Sequence, residues 1–309
     1  MSEPVPSVIN ASTRLCAVYG FPIRHSASPA MHNAAFAALD LNWRYLAFEV
    51  HPQNLRAAIA GARAMQFSGL NLTVPHKLLA LEMVEELDVS AKIWGAVNTI
   101  RFEGRTANGG WHPLHHFDRE PPAEIRAQGF NTDADAMIAA LREDLKLDLR
   151  GKKVLLLGLG GAGWTAASRL ASEGVSELFL VNRTYSKILE VQREIEQKFP
   201  SVSVGSGYPQ TDIDLLINAT SLGLRQDDSL PVDEKQFPLH RAGAVYDMIY
   251  KPAETKLLAL ARAAGCRTSN GLGMLLHQGA AAFEIWTGKP APVEVMRRAL
   301  ELNVYGTAK

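Results

Sequence analysis

Residues 151–174, GKKVLLLGLGGAGWTAASRLASEG, carry the reading on which the fold turns. Val154 to Leu157 form a short apolar run that ends in Gly158, Gly160 and Gly163, and an alanine-rich helical stretch follows at once. A G-x-G-x-x-G triplet set between a buried strand and a helix is the fingerprint of a dinucleotide site; without that setting the same glycines mark only an ordinary turn. The first glycine allows the tight turn, the second lets the backbone approach a pyrophosphate, and the third lets helix and strand pack closely. The helix N-terminal N–H groups then face the anion.

Downstream the pattern repeats. SELFLVN (176–182), VSVGS (202–206), IDLLINAT (213–220) and AVYDMIY (244–250) read as strands, with helices over SKILEVQREIEQKF (186–199) and ETKLLALARAAG (254–265). Strands alternating with helices at this length imply a parallel, doubly wound sheet. In this fold a residue about 20 positions beyond the glycines reads the adenosine ribose, commonly a carboxylate accepting from the 2′-hydroxyl. Here that count lands on Arg183. A guanidinium offers a fork of donors to a 2′-phosphate that a carboxylate would repel, and Thr184 and Lys187 add a hydroxyl and a second charge, so the site favours NADP over NAD.

Upstream, LCAVYG (15–20), WRYLAFEV (43–50) and GLNLTVP (69–75) alternate with helical PAMHNAAFAALD (29–40) and QNLRAAIAGARAM (53–65), which reads as successive βα units. The stretch 104–128, with Gly-Gly, Pro-Pro and mixed charge, reads as a long surface loop. Its His112, His115 and His116 invite a metal reading, but no nearby cysteine completes a zinc-like set and no metal is expected. The tail gives two helices, 271–288 and 292–304, with no strand between them, expected to pack back on the first domain.

The 309 residues are 47% hydrophobic, enough for one large or two ordinary domains, and Lys plus Arg balance Asp plus Glu at 32 each. No global field then draws the chain to nucleic acid or an anionic membrane, and an anion site must be built locally. Two cysteines far apart, Cys16 and Cys266, argue against a disulfide framework. The opening MSEPVPSVINAST has neither a basic cap nor an apolar run, and no stretch approaches a spanning helix, so a cytoplasmic protein is expected.

Hydride chemistry at an alcohol needs a proton donor or acceptor and polar anchors. In FPIRHSASPAMHN (21–33), Ser26 and Ser28 stand two apart before a helix-starting proline. As an extended pair they would point to one face and could hold a carboxylate; alternatively Ser28 caps the helix and Ser26 belongs to the turn. LNLTVPHK (70–77) ends a strand at Thr73 and presents Lys77, a candidate for proton exchange or for polarising a hydroxyl. GFNTDADA (129–136) carries Asn131, Thr132 and Asp133 just before a helix, where Asp133 is also a plausible N-cap.

Together with GAVNT (95–99), INATSLG (217–223) and GLGMLLHQ (271–278), these motifs occur in an order and at a spacing that resemble the shikimate dehydrogenases. The resemblance runs from about Tyr19 to the last helices. It implies an α/β protein of two domains: a substrate domain, residues 1–132 with 271–309, completed by the C-terminal helices, and a Rossmann NADP-binding domain, residues 133–270, with the site in the cleft between them.

By the same resemblance Lys77 and Asp133 are the catalytic pair. Ser26 and Ser28 bind the substrate carboxylate with Tyr250, while Thr73, Asn98 and Gln278 bond ring hydroxyls. Gly158, Gly160, Gly161, Ala162 and Gly163 form the phosphate loop; Asn182, Arg183, Thr184 and Lys187 clamp the 2′-phosphate. Thr220, Met248 and Gly271 line the nicotinamide side. The implied reaction interconverts 3-dehydroshikimate and shikimate with NADP(H), in a monomer or homodimer that needs no metal.

Rival readings are quinate or aminoshikimate oxidation, a cofactor-binding regulatory protein without turnover, and a dehydrogenase for an unrelated substrate. Ser28, where quinate-preferring members often carry threonine, leans to shikimate. The retained Lys77 and Asp133 speak against the regulator. Departures from the family pattern are Phe130, Ala134 and Ala136 around Asp133, and the length of the 104–128 stretch.

Overall fold

The computed structural model describes residues 9–117 and 122–306. In chain order the first elements are β1 (Arg14–Gly20), α1 (Ser28–Ala38), β2 (Trp43–Glu49), α2 (Leu55–Ala64), β3 (Gly69–Leu72), β4 (Glu86–Leu87), α3 (Val89–Trp94), β5 (Thr99–Arg105), β6 (Trp111–Pro113) and β7 (Ile125–Phe130). There follow α4 (Asp133–Leu145), β8 (Lys153–Leu157), α5 (Gly161–Ser172), β9 (Glu177–Val181), α6 (Tyr185–Lys198), β10 (Ser203–Ser206) and β11 (Ile213–Asn218). The last are β12 (Ala242–Asp247), α7 (Lys256–Ala263), β13 (Arg267–Asn270), α8 (Leu272–Thr287) and α9 (Val293–Tyr305). The chain divides into two compact units, Met1–Thr132 with Leu276–Lys309, and Asp133–Leu275. That second boundary lies within α8, one turn beyond the expected residue 271.

In the first unit the sheet runs β2-β1-β3-β5-β7-β4, with β6 paired to β5. The βα reading holds for β1, β2 and β3, which pair in parallel. Beyond them the sheet becomes mixed, because β5 is antiparallel to both β3 and β7. The expected loop at 104–128 is corrected, apart from residues 118–121, which lie outside the described residues. Gly109 turns at φ +83°, β6 folds back antiparallel on β5, and β7 has begun by Ile125. Buried Glu103 ties this sheet together, accepting from Arg101 at 2.6 Å and Arg126 at 2.8 Å, while the Arg126 guanidinium lies 4.5 Å from the Trp111 ring centre. These partners are scattered along the chain, and β6 is too short to show a period.

The tail helices pack where expected: α9 lies against α1, and Phe283 of α8 meets Phe36 at 5.4 Å. Trp286 donates its indole N–H to the Ile100 carbonyl at 2.9 Å. It crosses the sheet at Gly69, where an added Cβ would sit 2.1 Å from the indole nitrogen, so only glycine fits.

The second unit carries an all-parallel sheet of order β10-β9-β8-β11-β12-β13. Its central strands β8, β11 and β12 are largely apolar because both faces are covered. Val154 and Leu156 join one core with Leu215 and Ile217, while Leu155 and Leu157 join the other with Leu216 and Val245. Strand order reverses between β8 and β11, and ligands of such sheets bind in the crevice beyond the strand ends at that point. β13, absent from the sequence reading, completes the far edge; its residues, RTSN, carry no apolar signal.

Candidate functional site

At the reversal point the second unit holds a cavity of about 530 Å³. Gly158 forms its floor with φ +91°, and an added Cβ would meet the Thr220 methyl at 2.6 Å, so the β8 and β11 turns touch there. Gly163 sits under the turn, where a Cβ would lie 2.0 Å from the Gly158 carbonyl. A Cβ on Gly160 would meet nothing within 4 Å, which leaves the backbone open to the cavity it lines. Each glycine thus does what the motif requires. Gly161 and Ala162 form the first turn of α5, half-buried.

Asn182, Arg183, Thr184 and Lys187 line the same cavity. Asn182 is a brace: its Oδ1 accepts from the Leu159 N–H at 3.0 Å and its Nδ2 donates to the Thr184 carbonyl at 2.9 Å. That ties the glycine turn to the turn after β9. Thr184 is the N-cap of α6 but makes no side-chain capping bond, and no acidic residue stands in the first turn. Arg183, Lys187 and a helix start therefore present positive charge together.

Thr220 also lines the cavity, while Met248 and Gly271 are not among its lining residues. Met248 donates its N–H to the Asn218 carbonyl at 3.0 Å, and an added Cβ on Gly271 would lie 2.1 Å from the Met248 carbonyl. Tyr250 is half-buried just beyond β12, and Asp133 is buried as the first residue of α4.

The first unit holds Ser26, Ser28, Thr73, Lys77, Asn98 and Gln278. Ser28 is not the helix cap: Ala27 takes that position, and the Ser28 N–H points to the Ser26 hydroxyl at 3.4 Å. Beyond β3 the chain is pinned on both sides. The Thr73 N–H donates to the Tyr19 carbonyl at 2.9 Å, and the Lys77 carbonyl accepts from Val97 at 2.9 Å, which leaves Lys77 half-buried on a fixed base. Gln278 is buried on α8.

Behind these residues runs a buried polar chain that the sequence reading did not contain. Burial raises the Tyr45 phenol well above its ordinary range, so it donates as a neutral hydroxyl to Asn71 Oδ1 at 2.6 Å. Asn71 Nδ2 donates to Thr99 Oγ1 at 3.0 Å, and Thr99 Oγ1 lies 3.3 Å from Asn98 Oδ1. Asn98, only 2% exposed, accepts from the Thr132 N–H at 2.8 Å and donates to its hydroxyl at 2.9 Å. Asn98 is thus oriented from two sides. The available signal was a polar residue, Asn71, in the middle of an otherwise apolar strand.

His32 stacks on Tyr45 at 4.3 Å, and its two ring nitrogens meet no hydrogen-bond partner among the described residues. Burial lowers its pKa from 6.5 to about 3. The unfolded chain therefore binds a proton below 6.5 that the folded chain refuses, and stability falls with pH from there down to about 3. His32→Phe should flatten that limb by about 1.4 kcal/mol per pH unit in urea unfolding between neutral pH and the acid end. Parallel curves for the two proteins would exonerate His32.

The imidazoles of His112, His115 and His116 lie ring to ring, His115 and His116 at 4.5 Å. Among the described residues no group of three or more His, Cys, Asp or Glu side chains is placed to hold a metal ion.

Known proteins match along nearly the whole chain. The family model for the shikimate dehydrogenase substrate binding domain matches residues 18–100, that for shikimate/quinate 5-dehydrogenase residues 140–221, and that for the shikimate 5′-dehydrogenase C-terminal domain residues 271–301. The shikimate dehydrogenase (NADP⁺) of Methanopyrus kandleri is 39% identical over 299 residues, covering 94% of this chain and 96% of the relative. A crystal structure of a shikimate dehydrogenase in complex with NADP⁺ superposes with a TM-score of 0.81 at 35% identity, covering 98% of this chain and 99% of the other. A Thermus thermophilus shikimate 5-dehydrogenase bound to NADP(H) and shikimate gives 0.76 at 32% identity, covering 94% and 99%. With such matches falling on both units, the chain belongs to the shikimate dehydrogenase family.

Proposed function

We propose that this protein is an NADP-dependent shikimate dehydrogenase that reversibly reduces 3-dehydroshikimate to shikimate. One observation carries the cofactor reading: the cavity at the strand-order reversal presents Arg183 and Lys187 where an NAD site places a carboxylate. The cavity fits a dinucleotide on its own geometry, with bare backbone at Gly160 and the start of α5 at one wall. The names of the relatives support the substrate.

In this reading the second unit binds the cofactor and the first binds the substrate. When bound, NADPH supplies the hydride. Lys77 supplies the proton to the developing alkoxide, or removes it in the reverse direction, directly or through a water. Asp133 is assigned to the same hydroxyl. Ser26, Ser28 and Tyr250 orient the carboxylate, and Thr73, Asn98 and Gln278 orient the ring. The protein works as a monomer or homodimer in the cytoplasm, where buried Cys16 and Cys266 remain thiols. Among the described residues no helix is long and apolar enough to cross a membrane.

Initial rates with shikimate and with quinate, each with NADP⁺ and NAD⁺, test this. The expected order puts shikimate with NADP⁺ first in kcat/KM. Higher efficiency with quinate would transfer the assignment to that acid, and activity with neither would leave a binding protein.

A further inference from the structure

Two polar residues, Asn218 and Asp247, end adjacent apolar strands in the second unit and are 0% exposed. Asn218 is fully engaged. Its Oδ1 accepts from the Thr220 N–H at 3.0 Å and hydroxyl at 2.7 Å; its Nδ2 donates to the Leu222 carbonyl at 3.2 Å and to Asp247 Oδ1 at 3.0 Å. An amide has no further capacity in such a site. Asp247 Oδ1 also accepts from the Ile249 N–H at 3.1 Å, and its Oδ2 accepts from the Thr255 hydroxyl at 2.7 Å. Thr255 is in turn the N-cap of α7.

The chain of bonds therefore runs from a helix start, through a buried carboxyl and a buried amide, to Thr220. The Thr220 hydroxyl accepts from the Leu222 N–H at 3.1 Å, so the whole turn after β11 is shaped by side chains. Ala219, Thr220, Ser221 and Leu222 of that turn form a wall of the cavity, and the Thr220 methyl lies against Gly158. Arg183 and Lys187 line the cavity from another turn, the one that follows β9, and that turn is braced separately by Asn182.

We infer that Asn218 and Asp247 are positioning residues for the cofactor: they act through Thr220 to hold the wall that meets the nicotinamide half, and leave the adenosine 2′-phosphate end unaffected. The inference rests on reading the cavity as the NADP site. A purely structural role would loosen both ends of that site alike.

Binding of NADP⁺ and of 2′,5′-ADP to the full-length chain separates the two. Asn218→Ala should weaken NADP⁺ by about tenfold or more, the scale of a lost buried hydrogen-bond set, while 2′,5′-ADP stays within about twofold. Combined with Thr220→Val it should add little to the single loss, because one residue acts through the other. Asp247→Asn keeps the oxygen that accepts from Asn218 and Ile249, and is expected to retain NADP⁺ affinity where Asp247→Ala does not. If Asn218→Ala does not fold, the isosteric Thr255→Val, which removes the far anchor, replaces it with the same pattern at smaller amplitude. Equal weakening of both ligands, additive effects, or unchanged NADP⁺ binding would overturn the inference. Wild-type protein that binds neither ligand would instead defeat the reading of the cavity.

Discussion

Replacing Lys77 by alanine is expected to lower turnover by about two to four orders of magnitude, the usual contribution of a positioned acid or base, with little change in the Michaelis constant for shikimate. The expectation follows from where the side chain starts. Its backbone is held from two directions, by Thr73 bonded to Tyr19 and by Val97 bonded to the Lys77 carbonyl, so the ammonium swings from a fixed base. Substrate anchoring is assigned to other residues, among them Ser28 and Asn98, and that is why the Michaelis constant should move little. Steady-state rates at saturating NADP⁺ read both numbers. Turnover near the wild-type value would remove Lys77 from the chemistry, and a raised Michaelis constant with turnover unchanged would make it a binding residue.

The second large effect is expected at Arg183. Arg183→Asp should reduce the ratio of kcat/KM for NADP⁺ over NAD⁺ by about two orders of magnitude, since a charge-assisted bond worth roughly 1.5–3 kcal/mol is lost and a like charge is put in its place. The site is built to allow that exchange. Asn182 holds the turn by two backbone bonds of its own, and Arg183 is exposed at the cavity edge, so the substitution changes charge without removing a support. The introduced carboxylate can accept from the free 2′-hydroxyl of NAD, which should recover part of the activity with that cofactor. An undiminished preference for NADP⁺ would place the 2′-phosphate elsewhere.

The residues that the sequence did not reveal share one property. Asn71, Asn218 and Asp247 each interrupt or end an apolar strand, and each is buried with at least one hydrogen bond to a side chain on another strand. Burying such a group without partners costs about 1–3 kcal/mol, so its presence in a core strand signals a partner without saying which. Tyr45 to Asn71 spans 26 residues, Asn218 to Asp247 spans 29, and Asn98 to Thr132 spans 34. No local pattern encodes pairings of that length. The strands within 104–117 and 122–128 escape the sequence for a related reason: β6 and β7 exist by antiparallel pairing to β5, while the local glycines and prolines speak only of turns.

By itself, then, the sequence determined the cofactor unit, because a strand, a glycine turn and a helix lie consecutively in residues 151–174 and the turn's own backbone calls for glycine, with φ +91° at Gly158 and no room between Gly163 and the Gly158 carbonyl. It also determined the positive charge that lines the cavity, since Arg183 and Lys187 share one short stretch with the end of β9. Only the tertiary structure decided the mixed sheet of the first unit and the buried relays behind Asn98 and Thr220. Those depend on which distant strands become neighbours, and strand pairing is settled by the packing of whole faces rather than by the residues of any one segment.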